Sequence, residues 1–244
     1  MADEPAIGVE VKATLEGDDV ARELSALGLS GDGAQRQTIW FFDALDEDGE
    51  LRLLTASIIV RLRQKKQGGK WTSTVKLRPA ALDRLLDDFA PGSEAFGGDY
   101  KVEYDWSATP VLAASMDGKV KDDELAEVLT GAGDVGDLLS AEQHRLPREA
   151  GDPRPFRGLR PAGPVSALRW DDVTTRRLDD LRAEHWTYGR EQRTFLELSL
   201  RAPDLEQAGE KRTLLLDDLA DLGLSPDPDA PPKTETVLRD LLGA

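Results

Sequence analysis

The stretch TASIIVRLRQKKQGGKWTSTVKLRPAAL, Thr55 to Leu82, holds seven basic residues and no Asp or Glu, in a chain whose formal net charge is −16. Two apolar-alternating runs, IIVRLRQ and TSTVKLR, flank Gly68-Gly69, and a glycine pair between such runs is a strong hairpin signal. Residues two apart on a strand share a face. Arg61 and Arg63 therefore point together, as do Lys76 and Arg78, while Val60, Leu62, Val75 and Leu77 point the other way. Like charges on neighbouring strands repel, so this basic face is expected to meet something anionic.

The same two-faced pattern recurs on both sides of the hairpin. IGVEVKATL (7–15) sets Ile7, Val9 and Val11 against Gly8, Glu10 and Lys12; DYKVEYDW (99–106) sets Val102 and Tyr104 against Glu103 and Asp105; QRTFLELSLRA sets Leu196 and Leu198 against Glu197 and Ser199. AQRQTIWFFDALD, VSALRWDDV and LDDLRAEHWTYG are further strand candidates. Closed into a barrel with the apolar faces outward under helices, such strands line the interior with charge. The alternative is an open antiparallel sheet whose charged face meets water, where ion pairs are weak. In the barrel, Glu10, Glu103, Asp105 and Glu197 either compensate the cations directly or hold divalent cations that neutralise a bound phosphate chain.

The intervening segments read differently. EGDDVARELSALG is a short helix with Asp18 or Asp19 as N-cap and Gly28 as stop. From Thr109 to about Arg148 the pattern turns helical, and PREAGDPRPFRGLRPAGPV (147–165) has five prolines, a loop or linker composition. DLEQAGEKRTLLLDDLADLGL and KTETVLRDLLGA close the chain as helices. The expected organisation is one α+β domain over 1–244: an N-terminal half 1–108, a helical segment with a Pro-rich loop 109–164, and a C-terminal half 165–244.

Composition narrows the function. With no cysteine in 244 residues, disulfides, thiolate metal sites and a Cys nucleophile are excluded. The acidic balance argues against nucleic acid and against an acidic membrane surface, and a local positive field suits a small, highly charged anion. MADEPAIGVEVKATL lacks a basic n-region and an apolar h-region, and no run of about 18 apolar residues occurs. A cytoplasmic protein is expected, and the Asp, Arg, Ala and Gly richness is that of a high-GC bacterial genome. Two histidines far apart, His144 and His185, do not suggest a His metal site or a Ser-His-Asp triad. Glu184 shares a strand face with Arg182 and Trp186, either as a surface ion pair or as a replacement carboxylate; Lys65, Lys66 and Lys70 read as solvated; Lys211 and Arg212 are candidates for closing one end.

Taken in order, GVEVK, IIVRLRQ, TSTVKLR, KVEYDW, ALRW and FLELSL, with KTETVL near the end, resemble the CYTH domain of the triphosphate tunnel metalloenzyme superfamily over roughly residues 7 to 242. The resemblance implies an eight-stranded antiparallel β-barrel with flanking helices, in which basic side chains grip a triphosphate or polyphosphate and carboxylates bind Mg²⁺ or Mn²⁺. It implies metal-dependent hydrolysis of inorganic or organic triphosphate by a monomer or homodimer. Members also include adenylate cyclases. Carried over, Lys12, Arg61, Arg63 and Lys76 are the catalytic and phosphate-binding cations, joined in binding by Arg78 and Arg169; Glu10, Glu103, Asp105 and Glu197 are the metal ligands. Two places depart from the pattern. Gly8 replaces the first Glu of the Glu-x-Glu-x-Lys signature, and Ser199 replaces the second Glu of the C-terminal pair. Both losses fall on the acidic side, which makes a non-catalytic binding module the alternative.

Overall fold

The computed structural model describes residues 7–16, 20–66, 68–78, 99–120, 125–147, 156–227 and 232–244. The strands are β1 (Val9–Glu16), β2 (Gln35–Asp43), β3 (Ile58–Gln64), β4 (Trp71–Leu77), β5 (Tyr100–Trp106), β6 (Pro110–Lys119), β7 (Arg160–Val173), β8 (Leu181–Tyr188) and β9 (Arg193–Ala202). The helices are α1 (Val20–Ala26), α2 (Arg52–Thr55), α3 (Leu125–Thr130), α4 (Ala141–Arg145), α5 (Leu205–Asp221) and α6 (Lys233–Leu242). The hydrogen-bonded order β1-β5-β6-β4-β3-β2-β7-β8-β9 closes into a barrel, so the fold is α+β as expected. The expected N-cap, Asp18 or Asp19, lies outside the described residues.

Three expectations are corrected. Among the described residues the barrel has nine strands, because β6 occupies Pro110–Lys119 where a helix was expected. Its Ala, Leu and Met content favours helix locally. Pairing with β4, Met116 opposite Val75 and Ala114 opposite Leu77, buries both side chains in a shared apolar cluster and overrides that preference. The barrel is mixed rather than antiparallel, because β1 runs parallel to β5. Finally, β7 begins at Arg160, so the end of the Pro-rich stretch is strand, with Pro161 and Pro164 in it.

Two compact units make up the chain: 1–37 with 103–111 and 165–233, and 38–102 with 112–164 and 234–244. In the first, Val9, Val11, Leu181, Ala183, Leu196, Leu198 and Leu200 form an apolar face packed with Ala208, Leu215 and Leu219 of α5 and Leu24 and Ala26 of α1. Burying one such leucine contributes about 1.5–3 kcal/mol. Asp204 caps α5 by accepting from the Gln207 N–H at 2.8 Å. Near the other end of α5, buried Asp218 accepts from Thr175 Oγ1, the Arg177 N–H at 2.9 Å and the Arg177 guanidinium, tying the helix to the β7–β8 turn.

In the second unit, Val60, Leu62, Val75, Leu77, Ala114 and Met116 pack under Leu125, Val128, Leu138 and Leu146. Gln143 of α4 reaches into this layer. Its Oε1 accepts from Ser73 Oγ at 3.1 Å and its Nε2 donates to the Met116 carbonyl at 3.0 Å. Gly118 is required beside it, since a Cβ there would stand 2.6 Å from Gln143 Oε1. The hairpin read from Gly68-Gly69 is present: Gln64 pairs with Trp71, and Gly68 takes φ 72°, a value glycine adopts freely.

Asp218→Ala is expected to cost about 2–4 kcal/mol, because it unpairs a charged hydrogen-bond network. Burial alone would raise the Asp218 carboxyl, but the hydrogen bonds from Thr175 and Arg177 outweigh it and hold it below its ordinary value. A depressed carboxyl stabilises above its unfolded value of about 3.9 and loses that contribution as pH falls through the folded one. Urea denaturation should show the parent–variant gap in full at neutral pH and a shrinking gap below about pH 4.

Candidate functional site

In the first unit the face opposite the apolar one is charged, and the strand registers say which residues meet. Glu10 lies opposite Asp105 on parallel β5, and Lys12 opposite Ser199 on β9. Across β8 and β9, Arg182 is opposite Ser199 and Glu184 opposite Glu197; across β7 and β8, Arg169 is opposite Glu184. Glu103 stands two residues from Asp105 on the same face. One carboxylate oxygen each from Glu10, Glu103 and Asp105 lie within 4.8 Å of one another.

Lys12 sits among them, its Nζ 2.9 Å from Glu10 Oε2 and 3.0 Å from Asp105 Oδ1. Burial alone would lower the Lys12 pKa; Glu10, Asp105 and Glu197 outweigh it and hold the ammonium well above its ordinary range. A second ammonium closes the other end of this face. Lys233, the first residue of α6, places Nζ 3.0 Å from Glu184 Oε2, 2.5 Å from Glu197 Oε1 and 4.2 Å from the Trp186 ring centroid. The Trp186 indole N–H donates to Glu184 Oε2 at 3.1 Å. Arg169 and Arg182 converge on Asp171 Oδ1, with Nε distances of 3.0 and 3.1 Å. Burial would raise the Asp171 carboxyl, and these two guanidiniums outweigh it and lower it.

Of the four carboxylates expected to bind metal, Glu10, Glu103 and Asp105 gather, whereas Glu197 is engaged by Lys233. The gathered donors are all carboxylate oxygens, a set that fits a hard divalent cation such as Mg²⁺ or Mn²⁺. At Gly8 a Cβ would meet only the Ala202 carbonyl, at 3.7 Å, an ordinary van der Waals contact. A cavity of about 290 Å³ borders Glu10, Arg182, Ser199, Arg201 and Lys211. His185 lies on the opposite, apolar side, between Leu168 and Leu196.

The basic residues Arg61, Arg63, Lys76 and Arg78 belong to the second unit. Arg61 faces Thr74, and Lys76 faces Ile59, which puts Arg61, Arg63 and Lys76 on one face as expected. Arg61 Nη2 donates to Thr74 Oγ1 at 3.1 Å, and Thr74 Oγ1 donates to Asp117 Oδ1 at 2.6 Å. This face is not wholly polar: buried Phe41 and Ile39 stand opposite Arg61 and Arg63. Arg78 borders a cavity of about 170 Å³ with Ser57, Ile59, Glu235 and Arg239. Lys65, Lys66 and Lys70 are exposed.

Sequence reasoning missed Lys233 and Asp171 as parts of the charged face. For Lys233 the available signal was a lone cation opening an amphipathic helix.

No family model and no curated protein matches the sequence. Among solved structures, a candidate adenylyl cyclase from Hippeastrum, described as having a dominant triphosphatase activity, is 17% identical, with 95% of each chain covered and a TM-score of 0.58. A candidate adenylate cyclase from Bacillus halodurans is also 17% identical, covering 93% of this chain and 96% of its own, with a TM-score of 0.55. The likeness is one of fold, which the chain shares with these two proteins. No described helix is long and apolar enough to cross a membrane.

Removing one partner of a buried ion pair strands the other charge at about 3–5 kcal/mol. Lys233→Ala is therefore expected to lower stability on that scale by removing the ammonium that pairs with Glu184 and Glu197, and adding Glu197→Gln should recover much of the loss. Equilibrium denaturation of the parent, single and double variants checks both statements.

Proposed function

We propose that the protein is a triphosphatase that hydrolyses inorganic triphosphate or an organic triphosphate with the help of a divalent cation. The observation that carries this reading is the gathering of Glu10, Glu103 and Asp105 beside Lys12, on a fold shared with a protein described as having triphosphatase activity. Phosphoryl transfer asks little covalent chemistry of a protein; it asks for positioning and for neutralisation of the charge on the transferred group. A cation held by these three carboxylates would supply Lewis acidity toward a phosphoryl oxygen. Lys12 and Arg169 of the first unit are assigned to binding and orienting phosphate oxygens, and Glu197 to a supporting charge; Arg61, Arg63, Lys76 and Arg78 of the second unit are phosphate-binding candidates by the resemblance alone.

A second reading, a module that binds triphosphate or polyphosphate without turning it over, is favoured by a specific feature. Lys12 and Lys233 already neutralise the carboxylates, and Gly8 and Ser199 withhold two more.

Phosphate release from tripolyphosphate, measured with and without Mg²⁺ or Mn²⁺, separates the readings. The triphosphatase reading expects metal-dependent release that Asp105→Asn lowers about a hundredfold, the scale on which one preorganised electrostatic group acts. Gly8→Glu should raise it, since it adds a carboxylate on the face of Glu10 and Lys12 at a place where a Cβ meets only the Ala202 carbonyl, at 3.7 Å. Calorimetric binding of tripolyphosphate with no phosphate release would instead establish the binding module.

A further inference from the structure

We infer that Lys12 changes partners when the site fills: its ammonium neutralises Glu10 and Asp105 until a divalent cation takes those carboxylates, and then turns to a phosphate of the anion, so that metal and anion bind cooperatively. The inference rests on the proposed metal-dependent reading and adds a coupling to it.

The geometry makes Lys12 and a metal competitors. The ammonium lies 2.9 Å from Glu10 and 3.0 Å from Asp105, two of the three side chains whose oxygens cluster. A cation ligated by those carboxylates needs oxygens at about 2.0–2.6 Å. That puts two like charges within a few ångströms of each other in a place where Asp105 is only 6% exposed, and Coulomb repulsion there is little screened. Metal binding therefore expels the ammonium from between the carboxylates.

The expelled ammonium has few places to go. Its side chain is 17% exposed, and an unpaired charge that far from water is costly. Directly across from it on β9 stands Ser199, a neutral group where a carboxylate would have recaptured it. The carboxylate two residues away, Glu197, is engaged by Lys233 at 2.5 Å. Beyond Ser199 lies Arg182, another cation. Asp227 borders the same small cavity as Lys12 but is solvent-exposed, a single well-screened charge, so the multiply charged ligand is the stronger acceptor for the ammonium. The serine departure acquires a role on this account: it leaves Lys12 to the anion. A coupling of this kind is reciprocal, so the factor by which metal tightens the anion equals the factor by which the anion tightens the metal.

The test measures Mn²⁺ affinity directly, with free Mn²⁺ fixed by a metal buffer and bound Mn²⁺ read by electron paramagnetic resonance, in the absence and presence of non-hydrolysable imidotriphosphate. The unaltered protein should bind Mn²⁺ about tenfold or more tightly with imidotriphosphate present. Lys12→Gln should bind Mn²⁺ alone about tenfold or more tightly than the unaltered protein and show a clearly smaller further gain with the anion, whereas Lys12→Arg should restore the full coupling. Mn²⁺ binding that is unchanged by imidotriphosphate, and no tighter in Lys12→Gln, would overturn the inference while leaving the metal-dependent reading intact. Absence of Mn²⁺ binding in every variant would overturn that reading and the inference with it. If Lys12→Gln does not fold, the position of Lys12 Nζ in crystals of the unaltered protein soaked with Mn²⁺ and imidotriphosphate decides: on a phosphate oxygen it supports the inference, still between Glu10 and Asp105 it overturns it.

Discussion

The parallel pairing of β1 with β5 is the constraint on which the charged site depends. It sets Glu10 directly opposite Asp105, and the antiparallel pairing on the other side of β1 sets Lys12 opposite Ser199. A slip of one residue in either register would turn every one of these side chains to the opposite face. That slip is opposed by Val9 and Val11, which the correct register buries at 2% and 0% exposure against α5 and its neighbours. The apolar face thus fixes the placement of the charges it does not touch.

Burying so many charges has an electrostatic consequence that the structure meets in the same way twice. One ammonium is held by two carboxylates at Lys12 and another at Lys233, the latter also against an indole face. Charges in such places are tolerated when paired and costly when stranded. The ion pairs therefore matter less as sources of stability than as a demand that any arriving cation or anion exchange partners with them. A raised Lys12 pKa is the equilibrium expression of that demand.

Much of this was legible in the sequence because period-two alternation is a local signal. Glu10 with Lys12, Glu103 with Asp105, and Arg61 with Arg63 were assigned to shared faces, and the strand registers place them so. β6 was not legible, because VLAASM has no alternation and takes its strand form from long-range pairing, with β4 among its partners. The parallel β1–β5 contact was equally hidden, since pairing direction is a long-range property that no short window carries. Lys233 and Glu184 illustrate the remaining gap: they lie 49 residues apart, and nothing in either segment announces the other. The pairing of Glu197 with Lys233 was hidden for the same reason, because that partner comes from the start of α6.

The central claim is that Glu10, Glu103 and Asp105 form one metal site on the face shared with Lys12. The most direct measurement is a crystal structure of the protein soaked with Mn²⁺ and imidotriphosphate, with the metal located by its anomalous scattering. The account requires an anomalous peak within about 2.0–2.6 Å of oxygens from those three residues, with Lys12 Nζ moved onto a phosphate oxygen. A peak coordinated by other residues, or an ordered anion with Lys12 still bridging Glu10 and Asp105, would contradict it.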